Sequence, residues 1–445
     1  MTTLSSQPYK GTRDYYPADK RVQNYIFSHW RTISERYGYE EYGAPTLEPL
    51  EVYTAKSGQE LAGEQTYTFT DRGDRTVAIR PEMTPSVSRM IAARRQEMAY
   101  PARLFSIANF MRYERPQRGR EREFWQLNAD IFGAEGALAD AEIIVMGWRM
   151  MKGFGATDDM FVIRVNNRKL INFMMANYLG LDAVQSQLMI RLFDRKEKIS
   201  HEDFRDQAID IFGDAAAPKG LAKIAALLTA KNIAELPEEI RESEEVKEVQ
   251  EVFTLLERAG VKNAIFDITL MRGFDYYTGT VFEFFDTHPE NNRAMFGGGR
   301  YDGLVGLFGA EPISAVGFAP GYTMTELFLR SHDLLPKLPS TTDISVIVLG
   351  GALQGAMELA DKLREEGVNT EVDITGRKLD KQLKSAIKKD VPFIVFVGDE
   401  EIKQEIYPFK DTAKSEEQKL SFERIVSTVK DRRLRHNDDL DDLFE

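Results

Sequence analysis

Arg112, Arg115, Arg118, Arg120 and Arg122 fall within one short stretch of a 445-residue chain. A guanidinium fork suits bidentate contact with phosphate oxygens, so this density of arginine points to a polyanionic ligand. The plain alternative is a solvated loop balanced by Glu114, Glu121 and Glu123. Arg112 favours the ligand: it falls within an apolar, strand-like run, where a buried charge needs an anionic partner.

The elements that present these residues read as a hairpin. Residues 105–113 and 124–132 are apolar-rich and strand-like, and the intervening ERPQRGRERE has no pattern that a core could bury. The run RYERPQRGREREFWQLNADIFG, Arg112 to Gly133, resembles the second signature motif of class II aminoacyl-tRNA synthetases, in the form found in the histidyl-tRNA synthetase family.

Composition sets the frame. The length predicts two or three domains, and the absence of cysteine excludes disulfides and thiolate zinc sites. With five scattered histidines, no zinc is expected. A net charge of −13 opposes indiscriminate nucleic-acid binding, so any RNA contact must use local basic patches. No signal peptide or membrane-length apolar run is visible, and a cytoplasmic protein with no membrane partner is expected.

Along the chain, a helix is predicted from about Asp19 to Gly38, then an extended segment broken by Pro45. In the family these form the first motif and the homodimer interface. A hairpin around DRGD leads into RPEMT, with Glu82 and Thr84 at a strand-to-helix junction. The family's glutamate and threonine here hold the amino group of histidine, and Met83 replaces its usual glycine. A helix at 140–152 and a strand at 160–166 follow. Residues 169–260 read as a helical insertion, in which the charge-laced Glu238–Arg258 carries the mark of a solvated helix face.

RGFDYYTGTVFE from Arg272, then GGGRYDGLV from Gly297, resemble the two motifs peculiar to the histidyl-tRNA synthetase family. AVGFAPGYTMTELFL from Ala315 is the candidate third class II motif. Met324 stands where that motif carries an ATP-pairing arginine, and Arg300 is the nearest candidate substitute. Beyond the linker at 334–342, alternating strands and helices predict a parallel α/β unit. Within it Leu379, Leu383 and Ile387 form the expected buried stripe, and Lys381, Lys384 and Lys388 a basic outward face.

The resemblance implies an α+β fold: a class II antiparallel sheet flanked by helices, with a helical insertion and a C-terminal α/β anticodon-binding domain. The implied divisions are catalytic 1–168 and 261–333, insertion 169–260, linker 334–342, anticodon-binding domain 343–432 and a disordered acidic tail 433–445. It also implies ATP with Mg²⁺, histidine and tRNA(His) as ligands. Arg112 and Arg272 would be catalytic, while Arg120 and Phe124 would bind ATP. Glu82, Thr84, Gln126, Asp130, Arg272, Tyr276, Tyr277 and Tyr301 would hold histidine; many bacterial members have glutamate at the Asp130 position. Arg115, Gln117 and Arg118 would meet the tRNA acceptor end, and no metal ligand is assigned. The alternative is a catalytically silent, synthetase-like regulatory subunit of histidine biosynthesis.

Overall fold

The computed structural model describes residues 4–54, 60–271, 276–291, 293–414 and 416–441. Two compact units emerge, one of residues 1–15 and 23–335, the other of residues 16–22 and 336–445.

In chain order the first unit holds β1 (Glu40–Glu41), β2 (Leu47–Pro49), β3 (Thr68–Thr70), β4 (Thr76–Ile79), β5 (Ala102–Met111) and β6 (Glu123–Phe132). Then come β7 (Phe161–Asn167), β8 (Ala264–Phe266), β9 (Thr280–Asp286), β10 (Ala294–Arg300) and β11 (Ala315–Phe318). The main sheet runs β1-β5-β6-β11-β10-β9-β7-β8, antiparallel except at its two edges. A small antiparallel sheet, β2-β4-β3, stands apart from it.

The β5–β6 hairpin has the sequence-predicted form, in unbroken register from Ala102 opposite Phe132 to Met111 opposite Glu123. One face of the sheet carries the helix Ala137–Gly153, whose run of Ile143, Ile144, Met146, Met150 and Met151 is buried. Gly147 lets that helix approach closely, since a methyl there would lie 2.9 Å from the Phe284 ring. The helix Thr84–Ala93 starts at the predicted Thr84-Pro85 and buries Val87 and Ile91.

Residues 168–258 are helical, and their core is continuous with Phe266, Ile268 and Met271. The charge-laced segment 238–258 forms two helices, Glu238–Arg241 and Glu244–Arg258. Ser243 interrupts it and caps the second by accepting from the Val246 amide.

The second unit contains β12 (Ile344–Val348), β13 (Thr370–Val372), β14 (Phe393–Val397), β15 (Ile406–Asp411) and β16 (Glu416–Ser421), ordered β13-β12-β14-β15-β16. Only the first three are parallel, as predicted; β15 and β16 add an antiparallel hairpin. The helix Leu379–Lys388 is also rotated from the predicted face. Leu379 and Ile387 are exposed, while Gln382 and Ala386 are buried. Gln382 explains the rotation, because its amide accepts from the Val348 N–H at 3.0 Å and donates to the Val348 carbonyl at 3.1 Å, satisfying a strand end. Of the acidic end expected to be disordered, residues 433–441 belong to the helix Phe422–Asp441, which is anchored near its middle by Arg433 on Asp343.

Candidate active site

Strand β6 builds one wall of a cavity of about 470 Å³ in the first unit. Phe124, Gln126, Asn128 and Asp130 alternate along it and share the face that lines this cavity. Polar residues at every second position of an otherwise apolar strand are costly unless a ligand meets them. Asn128 was missed in the sequence, although this same alternation marks it.

Asp130 lies at the deep end, where Tyr301 Oη donates to its Oδ1 at 2.6 Å. Its Oδ2 and the Oδ1 of Asn128 are buried with no hydrogen-bond partner among the described residues. Burial pushes the Asp130 carboxyl up to about 7; the Tyr301 bond opposes this and the Glu82 charge adds to it. Gly317, opposite Asp130 on β11, makes room for the carboxylate, because a methyl at 317 would collide with Oδ1. The Gly297-Gly298-Gly299 run serves close approach within β10 rather than a turn. A methyl on Gly299 would press on the Tyr277 ring at 3.0 Å, and one on Gly298 would strike the Gly317 carbonyl.

Glu82 and Thr84 line the same cavity from the junction before the Thr84–Ala93 helix. Tyr276 Oη donates to Glu82 Oε2 at 2.8 Å. Tyr276 therefore stands behind Glu82 rather than on the cavity wall, whereas Tyr277 and Tyr301 do line it. Gln126 is fixed by donating to the Ala319 carbonyl at 2.9 Å.

Arg112, Arg120 and Phe124 occupy the other end. Arg112 Nε donates to the Pro81 carbonyl at 2.9 Å, and its guanidinium lies 5.1 Å from the Phe124 ring centroid. Burial lowers the affinity of Arg112 for its proton, and the carboxylates of Glu82 and Glu114 oppose this. The expected anionic partner is thus a pair of nearby carboxylates. Arg120 Nε faces Glu114 Oε2 at 2.9 Å while half its side chain stays exposed.

The loop tip turns at Gly119, φ +75°, between Gln117 and Arg120. Arg115 is exposed. Gln117 accepts from Arg293 Nη2 at 2.9 Å, and Arg118 donates to Asn291 Oδ1 at 3.2 Å and pairs with Glu290 at 3.2 Å. Arg272 lies outside the described residues.

Arg300 is not at the phosphate end. It pairs with the buried Asp140 at 2.6 Å and donates to the Ala134 and Gly136 carbonyls. A guanidinium that satisfies a buried carboxylate has no freedom to bind nucleotide, so it does not replace the arginine missing at Met324.

The geometry has known counterparts. Residues 11–323 match the histidyl-tRNA synthetase family model, and residues 343–432 match that of an anticodon binding domain. The histidine–tRNA ligase of Leptospira biflexa is 37% identical over 430 residues, 96% of this chain and 98% of that protein. That of Haloarcula marismortui is 36% identical over 411 residues, 90% of this chain and 92% of that one. A crystal structure of histidyl-tRNA synthetase from Nostoc sp. PCC 7120 shares the fold, with a TM-score of 0.81 at 24% identity over 97% of this chain and 100% of that one. The fold also recurs in a Bacillus halodurans structure described as an ATP phosphoribosyltransferase regulatory subunit/histidyl-tRNA synthetase, with a TM-score of 0.72 at 22% identity over 89% of this chain and 99% of that one. With a match spanning the sheet, both strands of the arginine hairpin and the C-terminal unit, the chain belongs to the histidyl-tRNA synthetase family of class II aminoacyl-tRNA synthetases.

Proposed function

We propose that this chain is a histidine–tRNA ligase, which activates histidine with ATP and transfers it to the 3′ end of tRNA(His). The observation that carries the reading is one cavity with buried acceptors at its deep end and arginines at the other. An imidazole fits the first and a triphosphate the second.

In the first step a histidine carboxylate oxygen forms a bond to the α-phosphorus of ATP, and pyrophosphate leaves. Two anions approach, and charge grows on the phosphoryl oxygens, so fixed cations aimed at it lower the barrier. Arg112 takes the α-phosphate, and Arg272 is proposed to bridge the carboxylate and the α-phosphate. Arg120 turns from Glu114 to the outer phosphates of MgATP, and Phe124 stacks on adenine. In the second step a ribose hydroxyl of the terminal adenosine attacks the activated carbonyl, and AMP leaves.

Glu82, Thr84 and Gln126 hold the amino group, with Tyr276 fixing Glu82. Asp130 and Tyr277 meet the imidazole, and Tyr301 orients Asp130. A site that hydrogen-bonds both ring nitrogens rejects look-alikes that leave its buried groups unpaired. Arg115, Gln117 and Arg118 are proposed to meet the acceptor end, the C-terminal unit to bind the anticodon, and the assembly to be a cytoplasmic homodimer. In the described residues no helix is long and apolar enough to cross a membrane.

A silent regulatory subunit is the second reading. The match of residues 343–432 to an anticodon binding domain favours the ligase. Histidine-dependent ATP–pyrophosphate exchange, followed by charging of tRNA(His), tests the choice. Histidine binding without exchange would establish the regulator.

A further inference from the structure

Met324 occupies the place of a nucleotide-pairing arginine, and Arg300 is committed elsewhere. What Met324 touches gives its role. Its sulfur and methyl lie against Gly119 at the tip of the 112–122 loop, so closely that a methyl on Gly119 would collide with the thioether. Leu327 completes the contact, with its Cδ1 3.6 Å from the same point. The positive φ of Gly119 and the space left by Met324 both demand glycine.

Around this seat the loop is pinned elsewhere. Thr323 Oγ1 donates to Glu121 Oε2 at 3.0 Å, and Gln117 and Arg118 bond the segment between β9 and β10. That segment is itself held, since Asn291 Nδ2 donates to Asp286 Oδ2 at 2.6 Å and Asp286 Oδ1 meets His332 Nε2 at 2.7 Å.

We propose that Met324 is a positioning residue: its thioether seats the loop tip on the Tyr322–Ser331 helix before nucleotide arrives, so that Arg120 is presented from a preset backbone. This rests on the ligase reading. An ordered loop loses less freedom on binding, which recovers affinity that a direct cation would otherwise supply. An apolar side chain of this length suits such a seat, because it packs on bare backbone with no polar group to satisfy, and leucine conserves its volume.

The test combines ATP–pyrophosphate exchange with trypsin cleavage after Arg118 and Arg120, measured relative to cleavage after the exposed Arg94, in full-length M324L, M324A and M324R. M324L should resemble the wild type in both. M324A should raise the KM for ATP on the order of tenfold, the effect of losing one coupled packing contact, and both M324A and M324R should speed loop cleavage in the unliganded protein. An unchanged ATP KM or unchanged loop cleavage in M324A overturns the proposal. Absence of exchange in the wild type would refute the ligase reading alone, and the cleavage rates would still decide whether Met324 holds the loop.

Discussion

Replacing Asp130 by asparagine should make the protein more stable at alkaline pH while destroying its use of histidine. The carboxyl is buried among Tyr301, Tyr277 and Tyr42, with Glu82 adding like charge, and its pKa rises from 3.8 to about 7. Between those values the folded protein keeps a proton that the unfolded chain has released. Stability contributed by this group is therefore fully present below pH 3.8 and is lost as pH rises through about 7. At 1.36 kcal/mol per unit the shift corresponds to about 4 kcal/mol of destabilisation above neutrality. An amide of the same shape carries no charge, keeps an acceptor for Tyr301, and removes that cost. Urea unfolding of both proteins without ligands, at pH 5 and pH 8, should show an advantage for D130N that grows by a few kcal/mol across the interval. Exchange should fall by orders of magnitude, because the group proposed to receive the imidazole has changed. An advantage of D130N independent of pH would refute the assignment of the raised pKa to this carboxyl, and normal histidine KM would remove Asp130 from recognition.

Arg112→Ala should abolish adenylation while leaving histidine binding measurable by calorimetry, since its guanidinium is proposed to act on charge that develops on the α-phosphate oxygens; normal exchange would exclude that role. Reversing Lys381, Lys384 and Lys388 to glutamate on the exposed side of their helix should leave pyrophosphate exchange intact and slow charging of tRNA(His), and unchanged charging would move the RNA contact elsewhere. Arg300→Ala strips a buried carboxylate of its partner and should cost about 3–5 kcal/mol in a melting or urea experiment, with the ATP KM unchanged. A raised ATP KM without loss of stability would return Arg300 to the nucleotide site.

The β5–β6 hairpin was legible because two apolar strands flank a loop that nothing could bury, and because Phe124, Gln126 and Asp130 carry motif identities. The β15–β16 hairpin was not, since EEQKLS is polar and largely exposed and so carries no apolar alternation. The helix Leu379–Lys388 misled because its hydrophobic stripe is outvoted by Gln382, whose backbone bonds outweigh the burial of Leu379 and Ile387. Arg300 misled for a related reason. Sequence proximity to a glycine run placed it near phosphate, but its partner Asp140 lies 160 residues away. Long-range electrostatic pairings of this kind have no local signature.

The bare α-carbon of Gly317 beneath the Asp130 carboxylate limits how this pocket can change. Substitution at 317 must push the carboxylate away, and an altered side chain at 130 meets the same narrow floor. A side chain at 317 is therefore accommodated only together with a change at 130, which couples the neighbouring strands β6 and β11. A library meant to retune the enzyme toward imidazole analogues should randomise 130 and 317 jointly, because scanning 317 alone meets the Asp130 carboxylate at every side chain.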